Sequence, residues 1–104
     1  MRAIELVWPG GEHTFDLRIG ELQALQDACD AGPEFILNRI MAGQWRYADL
    51  FDTIRLGLIG GGMNPQRAQE LVTTYAVNAP LDQTFPLALD IITARWSGVS
   101  EIAA

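Results

Sequence analysis

Within the first twenty residues, two segments place apolar residues at every second position, as strands do when one face is buried. The apolar positions are Ile4, Leu6 and Trp8 in AIELVW, and Phe15, Leu17 and Ile19 in TFDLRI. PGGE separates the two segments, and its glycines adopt positive φ without steric cost, so the sequence predicts a β-hairpin. A two-stranded ribbon is marginal in water. We therefore expect it to pack on helices or on another chain, and its free edge could support self-association.

Beyond the hairpin, apolar residues recur at intervals of three and four, with glycine and proline between the periodic segments. This spacing predicts five short helices. The apolar positions that define them are Leu22, Leu25 and Cys29; Ile36, Leu37, Ile40 and Met41; Tyr47, Leu50, Phe51, Ile54 and Leu58; Ala68, Leu71, Val72 and Tyr75; and Phe85, Leu89, Ile92 and Trp96. Gly32 is expected to end the first helix and Pro33 to begin the second. Asn64–Pro65 is typical of a helix start.

These patterns predict a mostly helical α+β fold. The hairpin is expected over about residues 3–19, the helices over about residues 20–98, and a loose C-terminus over residues 99–104. A length of 104 residues predicts one domain. A domain of this size is only marginally stable, so a bound partner could contribute to its stability.

Two of the predicted helices are apolar on more than one side. At 100° per residue, Leu56 and Ile59 lie opposite the main apolar stripe of the third helix. Leu87 and Ile91 lie opposite, or nearly opposite, the stripe of the fifth helix that contains Trp96. Such helices are either covered on both sides, which we favour for the third, or they offer a partner-binding surface. For the fifth helix the pattern does not decide. The candidate partner-binding residues are Leu56, Ile59, Leu87, Ile91 and Trp96.

The charge distribution excludes some classes of partner. The net charge is −6, and the seven basic residues are all arginines scattered along the chain. Nucleic-acid binding requires a basic cluster that displaces counterions from phosphate, so we expect neither nucleic-acid binding nor attraction to anionic membranes. No apolar stretch reaches 18 residues, and the N-terminus lacks the apolar region of a signal peptide. A single cysteine excludes an internal disulfide and fits a cytoplasmic location.

Three consecutive glycines, Gly60–Gly62, invite comparison with phosphate-binding loops. A Walker A loop requires a lysine after its second glycine, and this chain contains no lysine. A dinucleotide-binding fingerprint requires a glycine where Pro65 stands, and a preceding strand. The glycines therefore predict a corner between the third and fourth helices, although the N-terminus of the fourth could still attract an anion.

The remaining polar residues form no catalytic or metal-binding pattern. His13 is the single histidine, and its pairing with Cys29 as a nucleophile is conceivable, but a cysteine on an apolar stripe is usually a core residue. Asp27, Asp30 and Glu34 lack EF-hand spacing, and Asp49 and Asp52 with Arg46 and Arg55 are expected to form a surface charge network. We expect no enzymatic activity, metal or cofactor.

Trp8, Trp45 and Trp96 are expected to pack in the core. A tryptophan that is exposed instead would be a natural binding anchor.

Three segments together resemble a known family. They are FDLRIGELQALQDACDAGP, ILNRIMAGQWRYADLFDTIRLGLIGGGM and the helix start at Pro65–Ala68, within about residues 15–77. They are similar to the short protein encoded among the tail genes of alphaproteobacterial gene transfer agents and related siphophages. Members of that family are described as phage tail proteins. They have the size and gene neighbourhood of tail assembly chaperones, although some descriptions call them tail tube proteins.

A tube subunit would be rich in β-sheet, whereas this sequence predicts one hairpin and mostly helices. The resemblance therefore implies a non-catalytic tail assembly chaperone, which binds the long helical tape measure protein or tail tube subunits before the tube assembles. A helix-in-groove contact with the candidate residues would serve that role. The alternative is a minor structural component of the tail. A helix-turn-helix regulator built from the third and fourth helices is disfavoured by the acidic charge, since only Arg67 lies near the turn.

Overall fold

A computed structural model describes residues 2–98, so the predicted loose C-terminus, residues 99–104, lies outside the described residues. The elements are β1 (Ile4–Trp8), β2 (Gly11–Phe15), α1 (Ile19–Cys29), α2 (Pro33–Met41), α3 (Tyr47–Gly60), α4 (Pro65–Val72) and α5 (Leu81–Ser97), and a π-helical turn over Thr73–Val77 continues α4. The predicted α+β class, an N-terminal hairpin followed by five helices, is confirmed. Within residues 2–98, no helix has the length and apolar character needed to cross a membrane.

The hairpin is antiparallel, with Pro9–Gly10 at its turn and Trp8 opposite Gly11. Its second strand lies earlier than predicted: β2 ends at Phe15, and α1 has already begun at Ile19, which is exposed. After β2, Arg18 has extended backbone angles, but the backbone N–H of Asp16 donates to a helix carbonyl, that of Gly57 in α3. The prediction failed because alternation records burial and does not show whether the hydrogen-bond partner is a strand or a helix.

The junction of α1 and α2 also differs from the prediction. Asp30, not Gly32, follows α1 in the left-handed conformation, with φ of 51°. A short side chain that can hydrogen-bond locally makes aspartate one of the few residues to adopt this region. Gly32 has extended backbone angles and precedes Pro33, which is the first residue of α2 as predicted.

The third helix, α3, is the centre of the fold and packs against α1, α4, α5 and β2. Its predicted stripe is buried at Leu50, Ile54 and Leu58, and Leu56 on the opposite side is buried as well. The expectation that the third helix is covered on both sides therefore holds. Tyr47, which was expected in the stripe, lies exposed in the first turn.

The glycines at the end of α3 allow the hairpin to lie against the helix backbone. A Cβ atom on Gly60 would overlap the carbonyl oxygen of Asp16, and a Cβ atom on Gly61 would overlap that of Thr14. Of these three glycines, only Gly62 adopts a positive φ, of 110°. The glycine triplet is the predicted corner between α3 and α4. Two of its three glycines are also required by the close approach of another chain segment.

The start of α4 is as predicted, since Oδ1 of Asn64 accepts hydrogen bonds from the backbone N–H groups of Gln66 and Arg67. The fifth helix, α5, begins at Leu81, one turn before Phe85, the first residue of its predicted stripe, and it contains Pro86. Proline lacks one backbone donor, and here the loss falls within the first turns of a 17-residue helix. The hydroxyl of Thr84 donates to the carbonyl oxygen of Ala76 (3.3 Å), which ties α5 to the π-helical turn.

Candidate partner-binding surface

The five residues predicted to contact a partner differ widely in exposure. Leu56 is 5% exposed and Ile91 is 1% exposed, so both belong to the core and cannot reach a partner in this fold. Ile59 and Leu87 are partly buried and pack against the core. Trp96 is 53% exposed. The apolar character on two sides of α3 and α5 is explained in part by the packing of these two helices on each other.

Trp96 lines an open groove between α2 and α5, which we call the α2–α5 groove. Its volume is about 550 Å³, within the range of small-molecule ligand pockets. Its apolar lining is Leu37 and Met41 from α2 with Leu89 and Trp96 from α5, and its charged lining is Glu34 and Asp90. The other lining residues are uncharged and polar.

Met41 is the member of this groove that sequence periodicity placed wrongly. It was expected on the buried stripe of the second helix, but it is 65% exposed. Leu37 and Met41 are one turn apart on the same edge of α2, and only Leu37 is covered by neighbours. Periodicity identified the edge of the helix correctly, but it carries no information on where the neighbouring helix stops covering it.

A second apolar surface surrounds Tyr47, and we call it the Tyr47 surface. It consists of Tyr47 and Phe51 from α3 together with Val77, Ala79 and Leu81 near the start of α5, around a hollow of about 290 Å³. The rings of Tyr47 and Phe51 are stacked, with centroids 5.9 Å apart. None of the five predicted residues lines it. The sequence signal that could have indicated this surface is Tyr47, an aromatic residue at the first position of a helix.

The tryptophans have three different environments. Trp8 is buried, and its Nε1–H donates to Nδ1 of His13 (2.8 Å) across the hairpin. This bond requires an unprotonated Nδ1 and so assigns the proton of neutral His13 to Nε2. Trp45 is partly buried against the core. Trp96 is exposed, contrary to the expectation for core packing, and meets the condition stated for a binding anchor.

A buried ion pair joins α2 to α3, where the sequence predicted a surface charge network. Asp49 is 0% exposed. One of its oxygens accepts a hydrogen bond from Nη2 of Arg39 (2.6 Å), and the other accepts from the backbone N–H of Arg46 (2.9 Å). Asp52 does form the expected helix-surface pair with Arg55 (3.2 Å). Within residues 2–98, no group of three or more His, Cys, Asp and Glu side chains could hold a metal ion.

Cys29 lies beside this ion pair in the core. The pKa of its thiol is raised from 9.0 to about 12, mainly by burial and in addition by the negative charge of Asp49. The thiol is therefore protonated at neutral pH. His13 has Trp8 as its hydrogen-bond partner, so each member of the conceivable nucleophile pair interacts with a different neighbour.

We expect Cys29 to react with iodoacetamide at pH 8 roughly 1,000-fold more slowly in the folded chain than in urea, because three pKa units reduce the thiolate fraction by that factor. Mass spectrometry of timed samples measures the two rates. Since the folded pKa is the higher one, the protonated thiol stabilises the fold fully below pH 9. That contribution decreases between pH 9 and about 12. Equal alkylation rates in both states would contradict the buried position.

Comparison with known proteins defines the class. A family model described as phage tail tube protein, GTA-gp10, matches residues 2–98. The match places the chain in the class of phage tail proteins. The chain belongs to the GTA-gp10 family, which associates it with gene transfer agents. No curated protein and no solved structure matches the chain. The family resemblance seen over about residues 15–77 is thus confirmed and extends over nearly the whole sequence.

Proposed function

We propose that this protein is a tail assembly chaperone, which binds the tape measure protein, or tail tube subunits, before the tube polymerises. It acts by covering apolar surface in the cytoplasm of the producer cell and performs no catalysis. The observation that carries this proposal is the architecture. Residues 2–98 contain one sheet of two five-residue strands, and the remaining elements are helices.

A tube wall built from β-sheets requires strands in greater number than this hairpin supplies. The hairpin is also committed to the fold, because β2 packs on α3 and the following segment donates a hydrogen bond to the carbonyl of Gly57. Residues 2–98 therefore offer little sheet for a channel lining. It offers helices with exposed apolar residues, a composition suited to binding another helix.

The exposed apolar residues support a binding role. Phe35, Met41 and Trp96 are large hydrophobic residues that are each more than half exposed. Aromatic residues and methionine are enriched in interfaces. An unassembled tape measure protein presents long apolar stripes, and a small acidic domain that covers them would limit its aggregation.

Two measurements test the proposal. Co-expression with this chain is expected to raise the soluble fraction of the tape measure protein, relative to the tape measure protein expressed alone, and the two should co-purify. Quantitative mass spectrometry of purified particles should find this chain absent, or far below the copy number of the major tube subunit. A tape measure protein with unchanged solubility and no association would contradict the proposal.

The alternative is a minor structural component of the tail, which the family description as a tube protein favours. The same particle measurement separates the two functions, because a structural component must be present in a fixed number of copies per particle. Self-association through the outer edge of β1 stays a prediction. It would appear as a concentration-dependent mass in analytical ultracentrifugation.

A further inference from the structure

We propose that the α2–α5 groove binds an amphipathic helix whose apolar stripe is flanked by basic residues. This inference deepens the proposed function and rests on it for the identity of the partner, a segment of the tape measure protein. The chemistry of the groove is independent of that identity.

The groove has the form of a trough between two rows of side chains. Leu37 and Met41 are one turn apart on α2, and Leu89 and Trp96 are two turns apart on α5, so each pair lies along one side of its helix. Leu37 is also part of the buried core, so the floor of the groove is fixed by the packing of the fold. The side chains above it, Met41 and Trp96, are exposed.

Met41 and Trp96 have complementary roles in recognition. A half-exposed tryptophan offers a large rigid apolar area together with an N–H donor, and tryptophan is enriched among the residues that dominate binding energy. Methionine is flexible and polarisable, so it adapts to side chains of different shape. A rigid Trp96 beside a flexible Met41 suits a partner that presents a row of apolar side chains.

The charge of the groove determines the flanks of the partner. Of the residues lining it, Glu34 on α2 and Asp90 on α5 are acidic, and none is basic. Both carboxylates are exposed, with one on each helix. The whole chain carries a net charge of −6, so the surrounding field has the same sign. Lysine or arginine on both sides of the apolar stripe would complement this rim, accelerate association and fix the orientation.

Two other arrangements are less compatible with these features. The Tyr47 surface encloses a smaller hollow and has no charged lining residue, so it lacks a means of orienting a partner. A second copy of this chain would bring another acidic domain to an acidic rim, and like charges oppose that contact. Both arrangements are outcomes that the following experiment can detect.

Fluorescence anisotropy with overlapping labelled peptides of about 25 residues, tiling the tape measure protein of the same particle, measures binding to the full chain. At least one peptide with an apolar stripe and basic flanks is expected to bind. Trp96→Ala should weaken its binding about thirtyfold, as expected for a dominant interface residue, and Met41→Ala should weaken it severalfold. Asp90→Lys should weaken binding at low salt, and the difference should shrink at high salt.

Tyr47→Ala is the matched control, because it removes an aromatic side chain that is also more than half exposed, from the other apolar surface. Its affinity should stay within about twofold of the unmodified chain. Loss of binding in Tyr47→Ala but not in Trp96→Ala would assign the partner to the Tyr47 surface and overturn the proposal. A dimer that Trp96→Ala dissociates would assign the groove to a second copy and overturn it as well.

The outcomes also separate this inference from the proposed function. If a tape measure peptide binds and neither Trp96→Ala nor Met41→Ala weakens it, the groove is not the site, and the chaperone function stands. If no tape measure peptide binds, the tape measure protein is not the partner, and that part of the proposed function fails. The groove is then tested with two synthetic amphipathic helices, one of leucine and lysine and one of leucine and glutamate. Trp96-dependent binding of the lysine peptide alone supports the groove chemistry, and its absence overturns it.

Discussion

Replacing Gly60 by alanine is expected to destabilise the fold by about 3 kcal/mol or more, because the added Cβ atom would overlap the carbonyl oxygen of Asp16. That oxygen belongs to the backbone, so it cannot move aside as the end of a flexible side chain could. Its peptide segment is held in turn by the hydrogen bond from the Asp16 N–H to the Gly57 carbonyl (2.9 Å). Either α3 or the end of the hairpin must shift, which disturbs the packing around the central helix.

Urea denaturation followed by circular dichroism measures this effect as a change in the free energy of unfolding. Gly20→Ala is the matched control, since Gly20 lies in α1 and a Cβ atom there would meet open space. Alanine has the higher helix propensity, so this control should leave stability unchanged or raise it by up to about 1 kcal/mol. Equal effects of the two substitutions would show that the close approach is not required.

The glycines at the end of α3 illustrate how much of this fold the sequence alone predicts. The corner between the third and fourth helices was predictable, because glycine followed by Asn64–Pro65 is a local signal for the end of one helix and the start of the next. The contact of Gly60 with Asp16 was not predictable. It joins residues far apart in the chain, and no periodic pattern records which backbone approaches a given glycine.

The candidate surface shows the same division between local and non-local information. The apolar character of both sides of α3 and α5 was visible in the sequence, but only the tertiary arrangement decides which side is left uncovered. It placed Leu56 and Ile91 in the core and left Trp96 exposed. Met41 shows the opposite error, since it belonged to a predicted core stripe and lies in the wall of the α2–α5 groove.

Replacing Asp49 by alanine is expected to cost about 3–5 kcal/mol, because it leaves the Arg39 guanidinium largely buried without its carboxylate partner. The guanidinium of Arg39 is already incompletely hydrogen-bonded, since its buried Nε has no hydrogen-bond partner within residues 2–98. The substitution also removes the acceptor of the Arg46 backbone N–H at the start of α3. For a small domain whose total stability is about 5–15 kcal/mol, this is a large fraction.

Asp52→Ala is the matched control on the same helix. The Asp52–Arg55 pair is 3.2 Å apart with both side chains about a quarter exposed, so its loss should cost less than about 1 kcal/mol. If Asp49→Ala costs no more than this control, the buried pair does not have the expected role. Combining Asp49→Leu with Arg39→Met separates the cost of an unpaired charge from the cost of the missing pair. The double variant should be destabilised by less than the sum of the single variants, because no charge is left buried without a partner.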